Sequence, residues 1–385
     1  MNKLFKGRSK EKSILTLYRT LVVIASVLVA FIMSSIVLLL IRANVGLTYY
    51  TMLIKPFTSK IHITEVLIRA IPLCIIALGV SVAYRSGIIN IGAEGQMAMG
   101  VICFTGVALL CPGLPKPVLL PLCLLASCLG GAFWGFIPGI LKAKLKVSEL
   151  LSTVMLNYIA AQAYSLCLRT IYMDPTDKAT PQSARLARGA WLSRFKGLGR
   201  LHTGLIIAIV LAVLVYLLMW KTSTGYKLRA AGSGDRAARY GGINVAKYVT
   251  IAMVISGLFA GLAGGVEIAG VHRRAIEGIT NNYGFAGVVV ALFGGLHPFG
   301  IIPASYFFGL LIYGATLISG ETGVPANIVG VMEGIIILVI VVAQMILNNK
   351  YYQDKFERLV ENHKSKKMNK MSKNKQNVQN KEAAK

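Results

Sequence analysis

Leu21 to Ile41 reads LVVIASVLVAFIMSSIVLLLI, 21 residues whose only polar members are Ser26, Ser34 and Ser35. At about 1.5 Å per residue such a helix crosses a hydrocarbon core of roughly 30 Å. Basic residues precede it (Lys3, Lys6, Arg8, Lys10, Lys12 and Arg19), as in a secretory signal. The run is too long for a signal's apolar core, however, and Arg42-Ala43-Asn44 is no small-residue cleavage site. It predicts an uncleaved first span.

Similar runs recur outward from it, near 63–84, 92–111, 118–141, 148–170, 203–220, 248–271, 283–297, 299–319 and 325–347, making ten spans with 20–41. The chain is 55% hydrophobic and only 15% charged, where a soluble domain carries about 25% charged residues. The predicted fold class is all-α: a polytopic membrane protein of about ten transmembrane helices.

The formal charge of +26 does not point to nucleic acid, because its positions follow the spans. Eleven Lys/Arg lie between Lys350 and Lys385 and six lie in the first nineteen residues. Basic residues flanking spans mark the cytoplasmic side and attract anionic lipids. Lys142, Lys144 and Lys146 mark one cytoplasmic turn, and Lys221, Lys227, Arg229, Arg236, Arg239 and Lys247 a longer loop over 221–247. With both termini inside, an even span count is consistent with all of these. The domains expected are a basic cytoplasmic N-terminus (1–19), a membrane domain (20–347) and a basic, unstructured cytoplasmic tail (348–385). One segment resists: the 171–201 connection falls outside yet carries Lys178, Arg185, Arg188, Arg194, Lys196 and Arg200. Pro175, Pro181 and Trp191 predict partial order there, with an interfacial helix or a surface for an external partner.

The six cysteines form no CxxC pair and sit almost entirely within apolar runs, as packing residues. His62, His202, His272 and His297 are scattered at span ends, so neither a metal site nor a cofactor is indicated.

The stretch YRSGIINIGAEGQMAMG, Tyr84 to Gly100, interrupts two apolar runs and places Asn90, Glu94 and Gln96 within seven residues. An ionisable side chain at membrane depth costs at least about 2.5–3.5 kcal/mol and usually faces a cavity or a partner. Backbone freed by glycine must be buried in protein or line water. The stretch therefore reads as a broken or re-entrant element beside a translocation path, or alternatively as a turn with Glu94 in water. Glu149 and Asn157, eight residues apart, fall on one helical face and either join that path or bind helices together. Glycine clusters such as GLFAGLAGG (Gly257–Gly265) read as close-packing faces between helices.

GSGDRA, Gly232 to Ala237, satisfies a dinucleotide-binding pattern but lacks a preceding strand, and no G-x-x-x-x-G-K-[ST] phosphate loop occurs. If the protein moves a solute with ATP, another chain hydrolyses it. The surrounding loop, TGYKLRAAGSGDRAARYGGINVAKY (Thr224–Tyr248), has a helix signature: Asp235 as N-cap, then RAARY, then Gly241-Gly242 as a stop. A short helix exposed between two spans suits docking.

That loop resembles the coupling segment of the permease subunits of type II ABC importers, the group spanning simple-sugar, branched-chain amino-acid and nucleoside permeases. RAAGSGDRAARYGGINV matches its pattern of Gly, acid, Ala-Ala-Arg-Tyr and Gly-Ile, and the likeness extends from about Ile61 to Gln344. SGIINIGAEGQMAMG and SELLSTVMLNYIA (Ser148–Ala160) are similar to the nucleoside branch. The resemblance implies a permease with no catalytic residues, moving a small neutral solute by alternating access. Its implied partners are a cytoplasmic ABC ATPase, a second homologous but non-identical permease, and an extracytoplasmic lipoprotein that binds the solute. ATPase coupling falls on Gly232, Asp235, Ala238, Arg239 and Gly242, and the path on Asn90, Glu94, Gln96, Glu149 and Asn157. A simple-sugar permease is the nearest alternative. A proton-coupled carrier working through Glu94 or Glu149 is the alternative from another class.

Overall fold

The structure, a computed structural model, describes residues 2–177, 179–324, 326–348, 351, 355 and 356. Most of the expected basic tail (348–385) therefore lies outside the described residues, as does Lys178. The described helices are α1 (Asn2–Leu40), α2 (Val45–Tyr49), α3 (Lys60–Arg85), α4 (Ala93–Leu110), α5 (Lys116–Leu145), α6 (Glu149–Arg169) and α7 (Gly204–Lys221). They continue with α8 (Ser223–Ser233), α9 (Asp235–Tyr240), α10 (Val245–Glu267), α11 (Tyr283–Phe293), α12 (Pro298–Glu321) and α13 (Ala326–Asn348). The fold is an all-α polytopic membrane protein.

Among the described residues, eight helices are long and apolar enough to cross a bilayer. α13 has 23 residues and also has the length of a span. The span expected at 283–297 is different: α11 is only 11 residues long, about 16 Å, and stops at Gly294, where backbone turns through Gly295 and Leu296 at positive φ. Its composition is that of a span, but its length is that of a half-helix.

Two compact units are distinguished, residues 2–41 with 334–348, and residues 42–333. In the first, the Tyr18 hydroxyl donates to the Ile346 carbonyl at 3.1 Å.

In the second unit, α10 packs on α5, α3 and α4. The contact with α5 follows from two glycine rows, Gly131 and Gly135 against Gly257 and Gly261. A methyl group on any of them would stand no more than 2.6 Å from a backbone oxygen of the facing helix, inside van der Waals contact. Apolar attraction between helices vanishes in lipid, so close backbone approach supplies the contact. The Ser127 hydroxyl donates to the Gly261 carbonyl across this seam.

The 171–201 connection is held by isolated bridges, Met173 with Ser183, Gln182 with Ile276, and Arg194 with His202, and has one helical turn, Arg188–Ala190. Its unexpected positive charge is partly absorbed locally. Arg200 makes a two-pronged pair with the buried Glu65 of α3, Nε to Oε1 at 2.8 Å and Nη2 to Oε2 at 2.6 Å. Arg185 and Arg273 stack their guanidinium groups on Trp191.

Candidate functional site: the α3–α4 break and the α8–α9 loop

Between Arg85 and Ala93 the chain leaves helical geometry. Ile88 and Asn90 are fully buried there, so each polar atom needs a partner inside the protein. The Asn90 amide donates to the Ser256 hydroxyl at 2.8 Å and to Gln96 Oε1 at 2.9 Å, while its Oδ1 accepts the Gly92 N–H at 2.9 Å. Ser256 lies eleven residues into α10, about 16 Å from its start.

Glu94, in the first turn of α4, accepts the backbone N–H of Asn282 at 3.2 Å through Oε1 and that of Gly284 at 2.7 Å through Oε2. These are free donors at the start of α11, where an anion is favoured by the helix dipole. Asn282 cannot cap its own helix in this way, because it stands at φ 58° with no capping bond from its side chain. Asn157 of α6 fastens the break from the other side: its Oδ1 accepts the Gly95 N–H at 2.9 Å and its amide donates to the Ile91 carbonyl at 3.0 Å.

Glu94 and Asn157 border a cavity of about 430 Å³, together with Tyr158, Gln162, Ser165 and Thr280; small-molecule sites occupy about 300–1,000 Å³. Glu277 also faces it, paired with Arg169 at 2.9 Å. The cavity mixes carboxamide, hydroxyl and aromatic groups, suiting a polar, uncharged, partly flat solute.

Of the five residues expected on one path, two line this cavity. Asn90 and Gln96 stand behind it, satisfied by each other, and act as a bracket for the break. Glu149 is elsewhere: it opens α6 and pairs with Lys142 at 2.7 Å. Sharing a face with Asn157 did not bring the two together, because eight residues of helix separate them by about 12 Å. Tyr158, Gln162 and Ser165 were missed, although their spacing with Val154 is that of one helical face.

In the other loop, α8 and α9 form a helical hairpin joined at Gly234. Asp235 is the first residue of α9, not its N-cap, since Gly234 occupies that position. The Asp235 carboxylate instead accepts from Arg239 Nε one turn on, at 2.9 Å. The expected stop is a Schellman motif: Ile243 N–H reaches the Ala238 carbonyl and Gly242 N–H the Arg239 carbonyl, with Gly242 at φ 77°. Ile243 then packs with Ala231, Ala238 and Val245. Asp235, Arg239 and Tyr240 are exposed, whereas Ala238 is buried.

Gly232 is exposed, but the direction a side chain would take there points at the Arg85–Gly87 backbone. A methyl group there would overlap the Arg85 carbonyl and stand 2.6 Å from the Gly87 nitrogen. The α8–α9 hairpin therefore rests directly on the start of the α3–α4 break.

A family model described as branched-chain amino acid transport system / permease component matches residues 62–341. The chain belongs to this permease family. The guanosine ABC transporter permease protein NupP of Bacillus subtilis is 34% identical over 321 residues, covering 83% of this chain and 92% of that one. The nucleoside ABC transporter permease protein NupB of Lactococcus lactis is 34% identical over 332 residues, 84% and 91% of the two chains. The glucose ABC transporter permease protein TsgB13 of Haloferax volcanii is 33% identical over 331 residues, 83% and 87%. As an ABC permease the chain is a multi-pass transport component, not an enzyme, and the family works with separate ATPase and solute-binding components.

Proposed function

We propose that this permease admits nucleosides across a bacterial plasma membrane. The observation that carries this reading is the 34% identity with the guanosine and nucleoside permeases over more than four-fifths of the chain. The carboxamide, hydroxyl and aromatic groups around the cavity agree with such a solute, its two carboxylates being engaged already, Glu94 by backbone N–H groups and Glu277 by Arg169. A separate ATPase pair, a second homologous permease and an external lipoprotein complete the importer. The Lys/Arg distribution supports a cytoplasmic side for both termini and the α8–α9 loop.

In this reading residues 20–347 are the membrane domain and α9 is the coupling helix. Asp235, Ala238, Arg239 and Gly242 shape the part that the ATPase grips, and Gly232 is the joint through which its movement reaches Gly87. From there the break carries displacement to Asn90, Gln96 and Glu94, and through Glu94 to α11. Glu94 and Asn157 line the path, with Asn90 and Gln96 keeping its wall in register. Both Glu94 oxygens are taken up by backbone N–H groups, which suits a structural cap of α11 and speaks for ATP rather than a proton gradient as the energy source.

The test is uptake of labelled guanosine and cytidine by cells carrying the whole importer with and without this chain. Accumulation should require the chain and resist excess glucose. The likeness to the glucose permease supports a second reading. Competition by glucose, with no nucleoside accumulation, would install it instead.

A further inference from the structure

At the end of the bundle where α8 lies, two arginines converge on one indole. The Arg85 guanidinium carbon stands 4.7 Å from the centre of the Trp220 ring and that of Arg229 5.9 Å from it. Tyr216, His297 and Phe299 complete an aromatic cluster, with Tyr216 stacked on Trp220 at 5.5 Å and His297 at 5.0 Å from it. Burial, and then the Arg85 charge, hold the His297 imidazole below its usual range, so the arginines are the charge of the cluster near neutrality.

No carboxylate answers that charge. Among the described residues, neither Arg85 nor Arg229 enters an ion pair, although Arg69, Arg169, Arg200 and Arg239 all do. Arg85 spends Nε on the Leu296 carbonyl at 2.6 Å and Nη2 on the Gly295 carbonyl at 3.4 Å, both neutral acceptors, and Arg229 Nε is buried without a hydrogen-bond partner. Two adjacent guanidinium groups repel each other, and an anion between them would relieve the repulsion.

The same three helices carry a second feature deeper in the bundle. Ala70 and Cys74 of α3, Ala208 and Ile209 of α7, and Pro303 and Tyr306 of α12 border a groove of about 350 Å³ that is almost wholly apolar. Eleven residues separate Ile209 from Trp220, and eleven separate Cys74 from Arg85. That is about 16 Å of helix to the near edge of the groove on α3 and α7, close to the thickness of one leaflet of a 30 Å core. Its far members, Leu67 and Leu205, lie deeper, and on α12 Ile302 stands three residues from Phe299. α7 shows lipid-facing side chains between the two features, among them Val213 and Leu217.

We propose that the seam of α3, α7 and α12 binds one anionic phospholipid, its phosphate between Arg85 and Arg229 beside Trp220 and an acyl chain in the apolar groove. Charge complementarity selects the headgroup, the indole marks the interfacial depth, and the groove one leaflet deep takes the tail. The site is independent of the solute carried.

Native mass spectrometry of the detergent-purified importer tests this, with phosphatidylglycerol and phosphatidylcholine of identical chains as probes. The expected result is at least tenfold preferential retention of phosphatidylglycerol. Arg229→Gln should abolish the preference, and Ala208→Phe, which fills the groove, should lower retention of phosphatidylglycerol about tenfold. Lys227→Gln, a charge loss two residues away on another face of α8, towards Tyr248, should change nothing. Equal retention of the two lipids, or an unchanged preference in Arg229→Gln, overturns the proposal. Displacement of the lipid by millimolar inorganic phosphate overturns it too, by making a free anion the ligand. Should Arg229→Gln fail to assemble, Arg229→Lys with Ala208→Phe carries the test: the first keeps the preference and the second lowers retention about tenfold, and loss of the preference in the first or unchanged retention in the second overturns the proposal.

Discussion

The Glu94 carboxylate accepts the Gly284 backbone N–H at 2.7 Å and so joins the first turn of α4 to the first turn of α11. The two backbones are as close as their atoms allow, since a methyl group on Gly284 would overlap the nitrogen and Cα of Glu94. An acid that reads as a transport residue in sequence is thus also the cap of a half-helix. Each of its two bonds is charge-assisted and worth about 1.5–3 kcal/mol.

Glu94→Gln should retain one acceptor oxygen and partial uptake, with no new dependence on external pH. Glu94→Ala leaves two donors at the α11 start uncapped and should lower the unfolding temperature in detergent and stop uptake. Complete loss of accumulation in Glu94→Gln, with passive exchange retained, would reinstate a proton-coupled carrier.

Gly284→Ala should fail to assemble, because the overlapping atoms are backbone and cannot swing aside. Gly320→Ala is the matched comparison: it lies in α12 with nothing within 4 Å. Replacing a helical glycine by alanine where space is free should be neutral or stabilise by about 0.5–1 kcal/mol. Yields of folded protein by size-exclusion chromatography separate the two.

Asn90→Leu and Asn157→Leu remove the brackets of the break. Asn157→Leu strands the Gly95 N–H and the Ile91 carbonyl, each at a cost of about 1–3 kcal/mol. Thermal unfolding should show both variants destabilised, whereas Glu149→Gln, in a pair with the half-exposed Lys142, should cost under about 1 kcal/mol. Equal unfolding temperatures for all three would refute the bracket.

Inverting Asp235 or Arg239 breaks an exposed pair one turn apart, worth about 0.3–0.5 kcal/mol. The protein should fold and insert, while ATP hydrolysis by the assembled importer runs without uptake. Gly242→Val should act likewise through the cap, since a β-branched residue does not tolerate φ 77°. Wild-type uptake in all three would remove α9 from coupling.

His202 is buried, with its Nδ1 accepting the Gly204 N–H at 3.1 Å. Burial, and then the Arg194 charge, depress its pKa to about 4. A depressed base favours the neutral form, so its stabilising effect is complete above the ordinary value of 6.5. As pH falls from there towards 4 the unfolded chain takes up a proton and the folded chain does not, costing up to about 3 kcal/mol. Proteolysis within 171–201 should quicken over that window, and His202→Gln should flatten the dependence.

The apolar runs determined the all-α membrane fold by themselves, because crossing a bilayer is a matter of length and backbone satisfaction within one segment. The α9 helix and its stop at Gly241-Gly242 were equally legible, since a Schellman turn is made by residues adjacent in the chain. What depended on distant partners was not. Asn90 meets Ser256 across 166 positions and Glu94 meets Gly284 across 190, so no window of sequence contains either contact. Apolar composition could not distinguish a span from the half-helix α11, whose start is fixed by Glu94 and whose end is set by the turn at Gly295 and Leu296. Helical spacing put Glu149 and Asn157 on one face but not at one depth. Tertiary packing set that depth, tying Glu149 to Lys142 and giving Asn157 to the break.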